Sequence, residues 1–361
     1  MARIAFYAPL KPPDHPVPSG DREMARNLLA ALQATSLGPV ELVSDLRLFE
    51  RRGDREAQTK LITTARDEVD RLISVWRGRD LRAWVTYHNY YKAPDLIGPA
   101  VCAALGLAYV QIESTRARSR LYGPWHRFAE AAHKAADAAQ VIFYLTQNDR
   151  IALDRDRPSG QCLTHLPPFL GDTFLAKRPL PRVDSLLLSV GMMREGDKMA
   201  SYKIIAETLA LLDDEWQLDI AGDGPAHAEV KALMAPFGSS IRFLGELDKG
   251  QLQTVYSASS LLFWPGVNEA FGMVYLEAQA AGLPVVAQDR PGVRDVLSGG
   301  PYPAETSGPS ALADRIRDLR DPTRHAAAAR AASSFVAENH LLSAAANRLR
   351  AALQPLIGDA P

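Results

Sequence analysis

Short apolar segments alternate with longer helical patterns along the whole chain, and this alternation constrains the fold most. The apolar, β-branched segments lie at 3–8, 39–44, 82–88, 107–113, 140–146 and 161–166, and then at 185–191, 216–222, 240–245, 261–266 and 283–288. Helical patterns separate them, among others at 22–34, 55–78, 124–139, 201–212, 225–236 and 271–281. Parallel strands joined by helices and covered on both faces produce such a pattern. The sequence therefore predicts an α/β fold with parallel sheets.

The segment 166–184 carries four prolines, little periodicity, and separates the two sets of strands. A chain of 361 residues is also long for one ordinary core. We predict two doubly wound, Rossmann-like domains, at 1–178 and 179–335, followed by a C-terminal helix within 336–361. In such domains ligands bind at the carboxyl ends of the strands, so a ligand is expected in a cleft where both sets of strand ends face.

Composition narrows the function classes. Apolar residues make up 47% and charged residues 23% of the chain, as in soluble globular proteins, and the formal net charge of −1 gives no drive toward nucleic acid. No apolar run approaches the roughly 18 residues of a membrane span, and the N-terminal run is too short for a signal peptide. The two distant cysteines, Cys102 and Cys162, suit a reducing cytoplasm, where both are expected in the core.

The segment "NEAFGMVYLEAQAAGLPVV" places Glu269 and Glu277 in an otherwise apolar stretch that follows a strand. A helix beginning near Phe271 would present the free amides of Gly272, Met273 and Val274, which form an anion site reinforced by the helix dipole. Glu277 lies one turn beyond on the same face. Carboxylates bind adjacent sugar hydroxyls well. This segment predicts a site for a phosphorylated, sugar-bearing ligand rather than a solvated helix surface.

Two glutamates separated by seven residues, with Phe-Gly starting two residues after the first, resemble the signature of retaining nucleotide-sugar glycosyltransferases of family four. The resemblance covers most of 185–300 and implies the GT-B fold, with two Rossmann-like domains facing across a cleft. It implies that Glu269 contacts hydroxyls of the transferred sugar and that Glu277 holds the ribose. It further implies that the C-terminal helix returns to pack on the N-terminal domain.

The segment "SVGMMREGDKMASYK" follows the first strand of the second set and contains Gly191, Arg194, Lys198 and Lys203. A departing diphosphate needs cations when no metal is present, and an arginine and a lysine supply them. The resembling family has an arginine and a lysine after this strand. The spacing differs here, so either Lys198 or Lys203 is the candidate for the diphosphate lysine. Solvated surface cations are the alternative interpretation.

Two further segments resemble the nucleotide pocket of the same family. In "IAGDGPAHAEV", Gly222 and Gly224 are candidates for close approach of the backbone to the nucleotide. In "FLGELDKGQLQTVYSAS", Leu247 is a candidate for contact with the base.

The N-terminal half offers fewer matches. Gly20 stands at the start of the first helix, where the family has a glycine-rich loop, and His88 follows a strand end. Glu113 occupies the position where the family often has a histidine. We predict that Gly20, His88 and Glu113 face the acceptor. Lys11, Asp14 and His15 of the first loop face the acceptor or are solvated; the sequence favours neither.

Two charged segments have competing interpretations. The segment 114–128 combines Arg116, Arg118, Arg120 and Arg127 with three aromatic residues, and suits either an anionic acceptor or lipid head groups, or is a solvated mobile loop. Asp154 and Asp156 have the spacing of a metal-binding Asp-x-Asp motif but lie outside a clear strand end, which favours a solvated turn. No metal site is predicted elsewhere.

The prediction is a cytoplasmic, retaining, metal-independent glycosyltransferase, with peripheral contact to the inner membrane face as an option and cell-envelope polysaccharide synthesis as the expected setting. It transfers a sugar from a nucleoside-diphosphate sugar to a hydroxyl of a glycan, lipid-linked sugar or small molecule, needs no cofactor, and uses Arg194, Lys198 and Glu269 as catalytic candidates. Two alternatives remain: a nucleotide-sugar epimerase of the same architecture, and a non-catalytic nucleotide-sugar-binding protein.

Overall fold

The computed structural model describes residues 3–17, 19–171, 185–212 and 216–358 and has the predicted α/β fold with two parallel sheets. The chain forms two compact units. Unit 1 comprises Met1–Pro167 and Leu342–Pro361, and unit 2 comprises Pro168–Leu341. The predicted boundary at 178/179 lies outside the described residues, whereas 336–341 belong to unit 2.

Unit 1 alternates strands and helices from its first strand onward. Its strands are β1 (Arg3–Tyr7), β2 (Val40–Ser44), β3 (Leu81–Asn89), β4 (Ala108–Ser114), β5 (Val141–Tyr144) and β6 (Cys162–His165). Its helices include α1 (Gly20–Ala34), α2 (Arg55–Trp76), α3 (Gly98–Leu105), α4 (His126–Ala138) and α5 (Gln147–Asp156). Cys102 is buried as predicted, but Cys162 is exposed because it lies on the edge strand β6.

The described strands of unit 1 form a parallel sheet in the order β2-β1-β3-β4-β5-β6. The chain moves from β1 to one side and then returns to the other, so the strand order reverses between β1 and β3. Loops at the carboxyl ends of these two strands diverge there and leave a crevice, which is where ligands bind in open α/β sheets. The reversal thus predicts where a ligand site of unit 1 lies.

Unit 2 repeats the same construction. Its strands are β7 (Leu186–Val190), β8 (Gln217–Ala221), β9 (Ile241–Gly245), β10 (Leu261–Phe263) and β11 (Val285–Val286). Its helices include α6 (Asp197–Leu209), α7 (His227–Met234), α8 (Lys249–Ala258), α9 (Met273–Ala280), α10 (Gly308–Asp318) and α11 (Pro322–Asn339). The described strands are parallel in the order β11-β10-β7-β8-β9, so the order reverses between β7 and β10.

The last helix, α12 (Leu342–Ile357), belongs to unit 1 and packs against α1. It buries Ala345, Leu349 and Leu353 along one stripe. Residues three and four apart lie on one face of a helix, so this stripe gives α12 a single apolar side to bury. The C-terminal segment therefore completes the unit in which the chain begins.

Candidate active site

The loops that follow β7 and β10 meet at the point where the strand order of unit 2 reverses. Trp264 follows β10 directly and is fully buried. Its ring packs so closely against Gly191, the residue after β7, that a Cβ on Gly191 would lie 2.6 Å from Cη2 of Trp264. Gly191 is therefore a glycine because the indole occupies the space of a side chain.

Lys198 and Glu269 form an ion pair beside this indole. The Nε1–H of Trp264 donates to Oε1 of Glu269 at 3.0 Å, and Nζ of Lys198 donates to the same oxygen and lies 5.3 Å from the centroid of the indole ring. Both charged side chains are largely shielded, with relative exposures of 22% for Lys198 and 15% for Glu269. In this low-dielectric setting each charge needs its partner, and the structure provides it.

The loop that carries Glu269 is fixed on the first turns of α6. The backbone N–H of Val267 donates to Oγ of Ser201 at 3.0 Å, and Nδ2 of Asn268 donates to Oδ2 of Asp197 at 3.0 Å. Asn268 has a φ of +52°, a left-handed conformation that asparagine tolerates better than most residues. Because these contacts hold the loop against α6, Glu269 in the loop reaches Lys198 on α6.

Lys203 and Arg194 lie apart from the ion pair. Lys203 is exposed on α6, and five positions correspond to about 140° of rotation from Lys198 at 3.6 residues per turn. Arg194 is exposed in the loop before α6, and its backbone carbonyl accepts from the N–H of Met199 at 3.1 Å. Of the two candidates for the diphosphate lysine, Lys198 is the one that contacts Glu269.

Gly222 and Gly224 are required by contacts within the protein. Gly222 has a φ of +132°, and a Cβ there would lie 2.1 Å from the carbonyl oxygen of Gly191. The corresponding Cβ on Gly224 would lie 2.2 Å from the carbonyl oxygen of Met193. The N–H of Met193 also donates to the carbonyl of Asp223 at 2.9 Å. The described backbone that approaches these glycines closely is that of the loop after β7, so both glycines hold the two loops together.

Helix α9 begins at Met273, two residues later than predicted, with Gly272 as its N-cap at a φ of +80°. Glu277 is half-buried and accepts a hydrogen bond from the hydroxyl of Tyr256 on α8 at 2.9 Å. Burial, followed by the negative charge of Glu277, raises the pKa of Tyr256, which keeps the hydroxyl a donor. Phe271, Met273, Val274 and Leu247 are partly buried and pack against the core of unit 2.

We call Lys198, Trp264, Glu269 and Glu277 the unit 2 site. Sequence reasoning missed Trp264 and Tyr256. A tryptophan directly after a strand and before Pro265–Gly266 is a usable signal, because a buried indole N–H needs an acceptor and Glu269 stands five positions away. Tyr256 gives no comparable signal, since its pairing with Glu277 depends on how α8 and α9 pack.

In unit 1, His88 and Glu113 lie next to each other at the carboxyl ends of β3 and β4. Both have left-handed backbones, with φ of +66° and +58°, which non-glycine residues rarely adopt. Nδ1 of His88 lies 3.8 Å from Oε2 of Glu113 and 3.5 Å from Oδ1 of Asp21, the second residue of α1. Gly20 itself is exposed, with open space beside its Cα. We call Asp21, His88 and Glu113 the unit 1 site.

The protonation of the unit 1 site follows from burial and charge. Burial lowers the pKa of His88, but the charges of Glu113 and Asp21 outweigh this effect and raise the pKa above its usual value. Burial raises the pKa of Glu113. Nδ1 of His88 and Oε2 of Glu113 are both buried without a hydrogen-bond partner in the described chain. A group that both accepts and donates, such as a hydroxyl, would satisfy both atoms.

A buried polar network holds the two strained turns. Asn89 and Ser114, which directly follow His88 and Glu113, pair across β3 and β4, and Nδ2 of Asn89 donates to Oγ of Ser114 at 3.1 Å. Oδ1 of Asn89 accepts from the N–H of Asp95 at 3.0 Å. Asp95 also accepts from the hydroxyl of Tyr109 at 2.7 Å. Such a network fixes the backbone on which His88 and Glu113 stand.

Residues 184–321 match the family model described as glycosyl transferases group 1. Unit 2 therefore contains a domain of the group 1 glycosyltransferase type. It is 31% identical over 249 residues to a D-inositol 3-phosphate glycosyltransferase of Geodermatophilus obscurus, covering 64% of this chain and 51% of the relative. A 2-deoxystreptamine glucosyltransferase of Streptomyces kanamyceticus is 24% identical over 290 residues, with coverages of 73% and 74%. The chain thus spans about half the length of the first of these relatives.

Solved structures of similar fold cover nearly the whole chain. The sucrose-phosphate synthase of Thermosynechococcus elongatus superposes with a TM-score of 0.73 at 17% identity over 99% of both chains. Anabaena HepE in complex with UDP-glucose superposes with a TM-score of 0.67 at 14% identity, covering 97% of this chain and 99% of HepE. At these identities the similarity shows the fold, which is GT-B.

Several charged residues of the two charged segments of unit 1 are paired within the protein. Arg116 is buried and donates to Asp137 at 2.6 Å, and Trp125 and Phe128 are buried as well. The segment 114–128 is thus neither a mobile loop nor one continuous exposed patch. Its sequence lacks the strict periodicity that would reveal this packing.

Asp154 and Asp156 lie in the last turns of α5, not in a solvated turn. Asp154 accepts from Arg150 at 2.8 Å, and Asp156 accepts from Arg155 and Arg118. The hydrogen bond from Arg155 lowers the pKa of Asp156 to about 2. Across the described ranges, no cluster of three or more histidine, cysteine or acidic residues is arranged to hold a metal ion. None of the described helices is both long and apolar enough to cross a membrane.

Proposed function

We propose that this protein is a group 1 glycosyltransferase that moves a sugar from a nucleoside-diphosphate sugar to a hydroxyl acceptor, with retention at the anomeric carbon and without a metal ion. The observation that carries the proposal is the convergence of Lys198 and Glu269 on Trp264, at the strand-order reversal of unit 2. This pairing sets a cation for a diphosphate beside a carboxylate for sugar hydroxyls. The complex of HepE with UDP-glucose supports the class of donor.

Each residue of the unit 2 site has a role in this scheme. Lys198, together with Arg194, stabilises the negative charge that develops on the departing diphosphate. The amides at the start of α9, at Gly272, Met273 and Val274, bind the diphosphate, since helix N-termini attract anions. Glu269 orients the transferred sugar. Glu277 accepts hydrogen bonds from the ribose, and Tyr256 holds its carboxylate.

The acceptor contacts the unit 1 site in this proposal. The gap between Nδ1 of His88 and Oε2 of Glu113 suits a hydroxyl oxygen, which lies about 2.8 Å from a hydrogen-bond partner. The donor's own phosphate oxygen removes the acceptor proton in a front-face displacement. Relatives named for D-inositol 3-phosphate and 2-deoxystreptamine both act on cyclic polyols, which supports a polyhydroxyl acceptor.

We further infer a cytoplasmic enzyme that works in cell-envelope polysaccharide synthesis. Peripheral membrane contact would involve the exposed part of segment 114–128, where Tyr122 is 82% exposed beside Arg120. Sedimentation with anionic vesicles, compared between the parent chain and a Tyr122→Ser/Arg120→Ser variant, tests this contact. Equal sedimentation of both, or none for the parent, would remove it.

The proposed activity is tested in two steps. Thermal shift with UDP, GDP and ADP identifies the base, because a ligand that binds only the native state raises its melting temperature. The matching nucleotide sugar is then incubated with cyclitol, glycan and lipid-linked acceptors, with and without chelator, and the product is examined by NMR. We expect an α-linked product from an α-linked donor in chelator. An epimerised donor in the absence of acceptor, or binding without any turnover, would contradict the proposal.

A further inference from the structure

Trp264 is a buried residue that contacts both the loop after β7 and the loop after β10. Its Nε1–H donates a hydrogen bond to Glu269, and Nζ of Lys198 lies 5.3 Å from the centroid of its ring. Its Cη2 occupies the space that a side chain at Gly191 would need. Tyr202 packs edge-on to the same ring, with centroids 5.3 Å apart, and its hydroxyl donates to the carbonyl of Gly191 at 2.9 Å. A buried indole N–H needs an acceptor, and for Trp264 that acceptor is a carboxylate of the unit 2 site.

The two oxygens of Glu269 have different environments. Oε1 accepts from both Trp264 and Lys198. Both hydrogen bonds described for Glu269 end on Oε1 and not on Oε2. A carboxylate has about four lone-pair positions, so Oε2 can accept from a hydroxyl while Oε1 stays engaged. The indole thereby determines which oxygen of Glu269 is available to accept a hydrogen bond from a ligand.

The two donors to Oε1 respond differently to an incoming anion. The ammonium of Lys198 is a mobile point charge on a flexible stem, so a diphosphate beside it competes with Glu269 for it. The indole N–H is neutral and belongs to a fully buried ring, so a diphosphate does not draw it away. Once a donor is bound, the indole is the contact that keeps Glu269 in place.

We propose that Trp264 is a positioning residue for the transferred sugar: it anchors Oε1 of Glu269 while Lys198 is engaged by the diphosphate, so that Oε2 accepts from a sugar hydroxyl. This inference rests on the proposed function, since it assumes a nucleoside-diphosphate sugar in the unit 2 site. It assigns the indole to the sugar rather than to the nucleotide. The two halves of the donor can therefore be tested separately.

The test compares Trp264→Phe, which keeps a ring and removes the N–H, with the matched control Trp216→Phe. Trp216 is also a buried tryptophan of unit 2, but it precedes β8, at the amino ends of the strands, and packs on Phe237. For Trp264→Phe we expect a kcat about 10-fold lower, as for loss of one hydrogen bond to a charged group, and nucleoside diphosphate affinity within about two-fold of the parent. Trp216→Phe should change neither.

A second variant keeps the test decisive if Trp264→Phe loses stability. Trp264→His retains a ring N–H in a smaller ring, so its kcat should exceed that of Trp264→Phe at equal fraction folded. Parent-like kcat and KM in Trp264→Phe would overturn the inference, as would an equal loss of nucleoside diphosphate affinity and of kcat. If the parent chain neither binds a nucleoside diphosphate nor turns over a nucleotide sugar, the proposed function fails first and this inference fails with it.

Discussion

The unit 2 site and the unit 1 site differ in how their polar groups are satisfied. In the unit 2 site, the carboxylates of Glu269 and Glu277 both accept hydrogen bonds from side chains of the protein, and neither glutamate has a left-handed backbone. In the unit 1 site, Nδ1 of His88 and Oε2 of Glu113 are buried and lack such bonds within the described chain, and both residues have left-handed backbones. Described side chains thus already bind each carboxylate of the unit 2 site, whereas they leave one buried atom of His88 and one of Glu113 without a hydrogen bond.

This difference indicates how each of the two sites binds its ligand. A ligand of the unit 2 site must exchange existing contacts, so its binding free energy depends on differences between similar interactions. A ligand of the unit 1 site supplies contacts that nothing in the described chain makes, and it relieves the cost of buried unsatisfied atoms. The strain at His88 and Glu113 is held by Asn89 and Ser114 behind them, so the site keeps its shape while it is incomplete.

The largest expected effect is the loss of the cation of the unit 2 site. Lys198→Ala should lower kcat about 100- to 1,000-fold, because the leaving diphosphate loses a preorganised positive charge. Steady-state turnover of the nucleotide sugar measures this. The matched control is Lys203→Ala on the same helix, which should retain parent activity because Lys203 is exposed on another face. A larger loss in Lys203→Ala than in Lys198→Ala would reverse the assignment between the two lysines.

The next effect concerns the support of the unit 1 site. Asn89→Ala removes the hydrogen bonds that the Asn89 side chain makes with the N–H of Asp95, Oγ of Ser114 and Oε1 of Gln111. Each buried unsatisfied group costs about 1–3 kcal/mol, so the free energy of unfolding should fall by roughly 3 kcal/mol. Denaturant titration measures this. Asn148→Ala, at an exposed position on α5, is the control and should change it little. A mild effect in Asn89→Ala would mean that the turns of His88 and Glu113 are relaxed by other contacts.

A smaller effect is expected at Glu277. Glu277→Ala should weaken nucleoside diphosphate binding about 10-fold with little change in kcat, because the ribose loses its acceptor but the reacting atoms keep theirs. Tyr256→Phe should have the same direction and a smaller size, since it removes one donor that orients the carboxylate. Calorimetric titration measures both, with Glu207→Ala on the surface of α6 as control. If Tyr256→Phe weakens nucleoside diphosphate binding more than Glu277→Ala does, the tyrosine itself contacts the ligand.

The fold and the two sites were predictable from the sequence to different degrees. The strands that the alternation predicts are confirmed, most within two residues, because buried parallel strands need continuous apolar segments. The helices α3, α5, α8 and α10 are not among the helices that the sequence analysis names. Their sequences are short, and α5 has almost no apolar face, so capping by Thr146 and Asp149 defines its start. Such local capping is weak evidence in a sequence that contains many candidate caps.

The site was predictable where one segment carries it and less so where packing assembles it. The segment 268–277 contains both glutamates, so its pattern identifies them together. The choice between Lys198 and Lys203 depends on how the loop of Asn268 docks on α6, which no spacing reveals. The glycines of "GDGP" suggest close approach of a ligand, yet the described contacts are with the backbone of Gly191 and Met193. The prediction that these glycines line the nucleotide pocket stays a prediction.

The smallest effect is also the most direct probe of the unit 1 site. The raised pKa of His88 means that its protonated form stabilises the fold fully below the ordinary value near 6.5, and that this contribution is lost as pH rises through the raised value. Glu113→Gln and Asp21→Asn should each lower the pKa of His88, because Glu113 raises it by its charge and Asp21 raises it by a hydrogen bond and by its charge. NMR titration of the imidazole measures this pKa.

The groups that face His88 are Asp21, Glu113, Asp149, Tyr87 and Tyr90, so the comparison must hold the others constant. His227→Gln in unit 2 removes an exposed histidine signal and should leave the His88 titration unchanged. A hydroxyl-bearing acceptor that occupies the gap would contact both Nδ1 of His88 and Oε2 of Glu113, and should therefore perturb the titration of parent His88. An unperturbed titration at saturating acceptor would place the acceptor elsewhere and would leave the two unsatisfied atoms to ordered water.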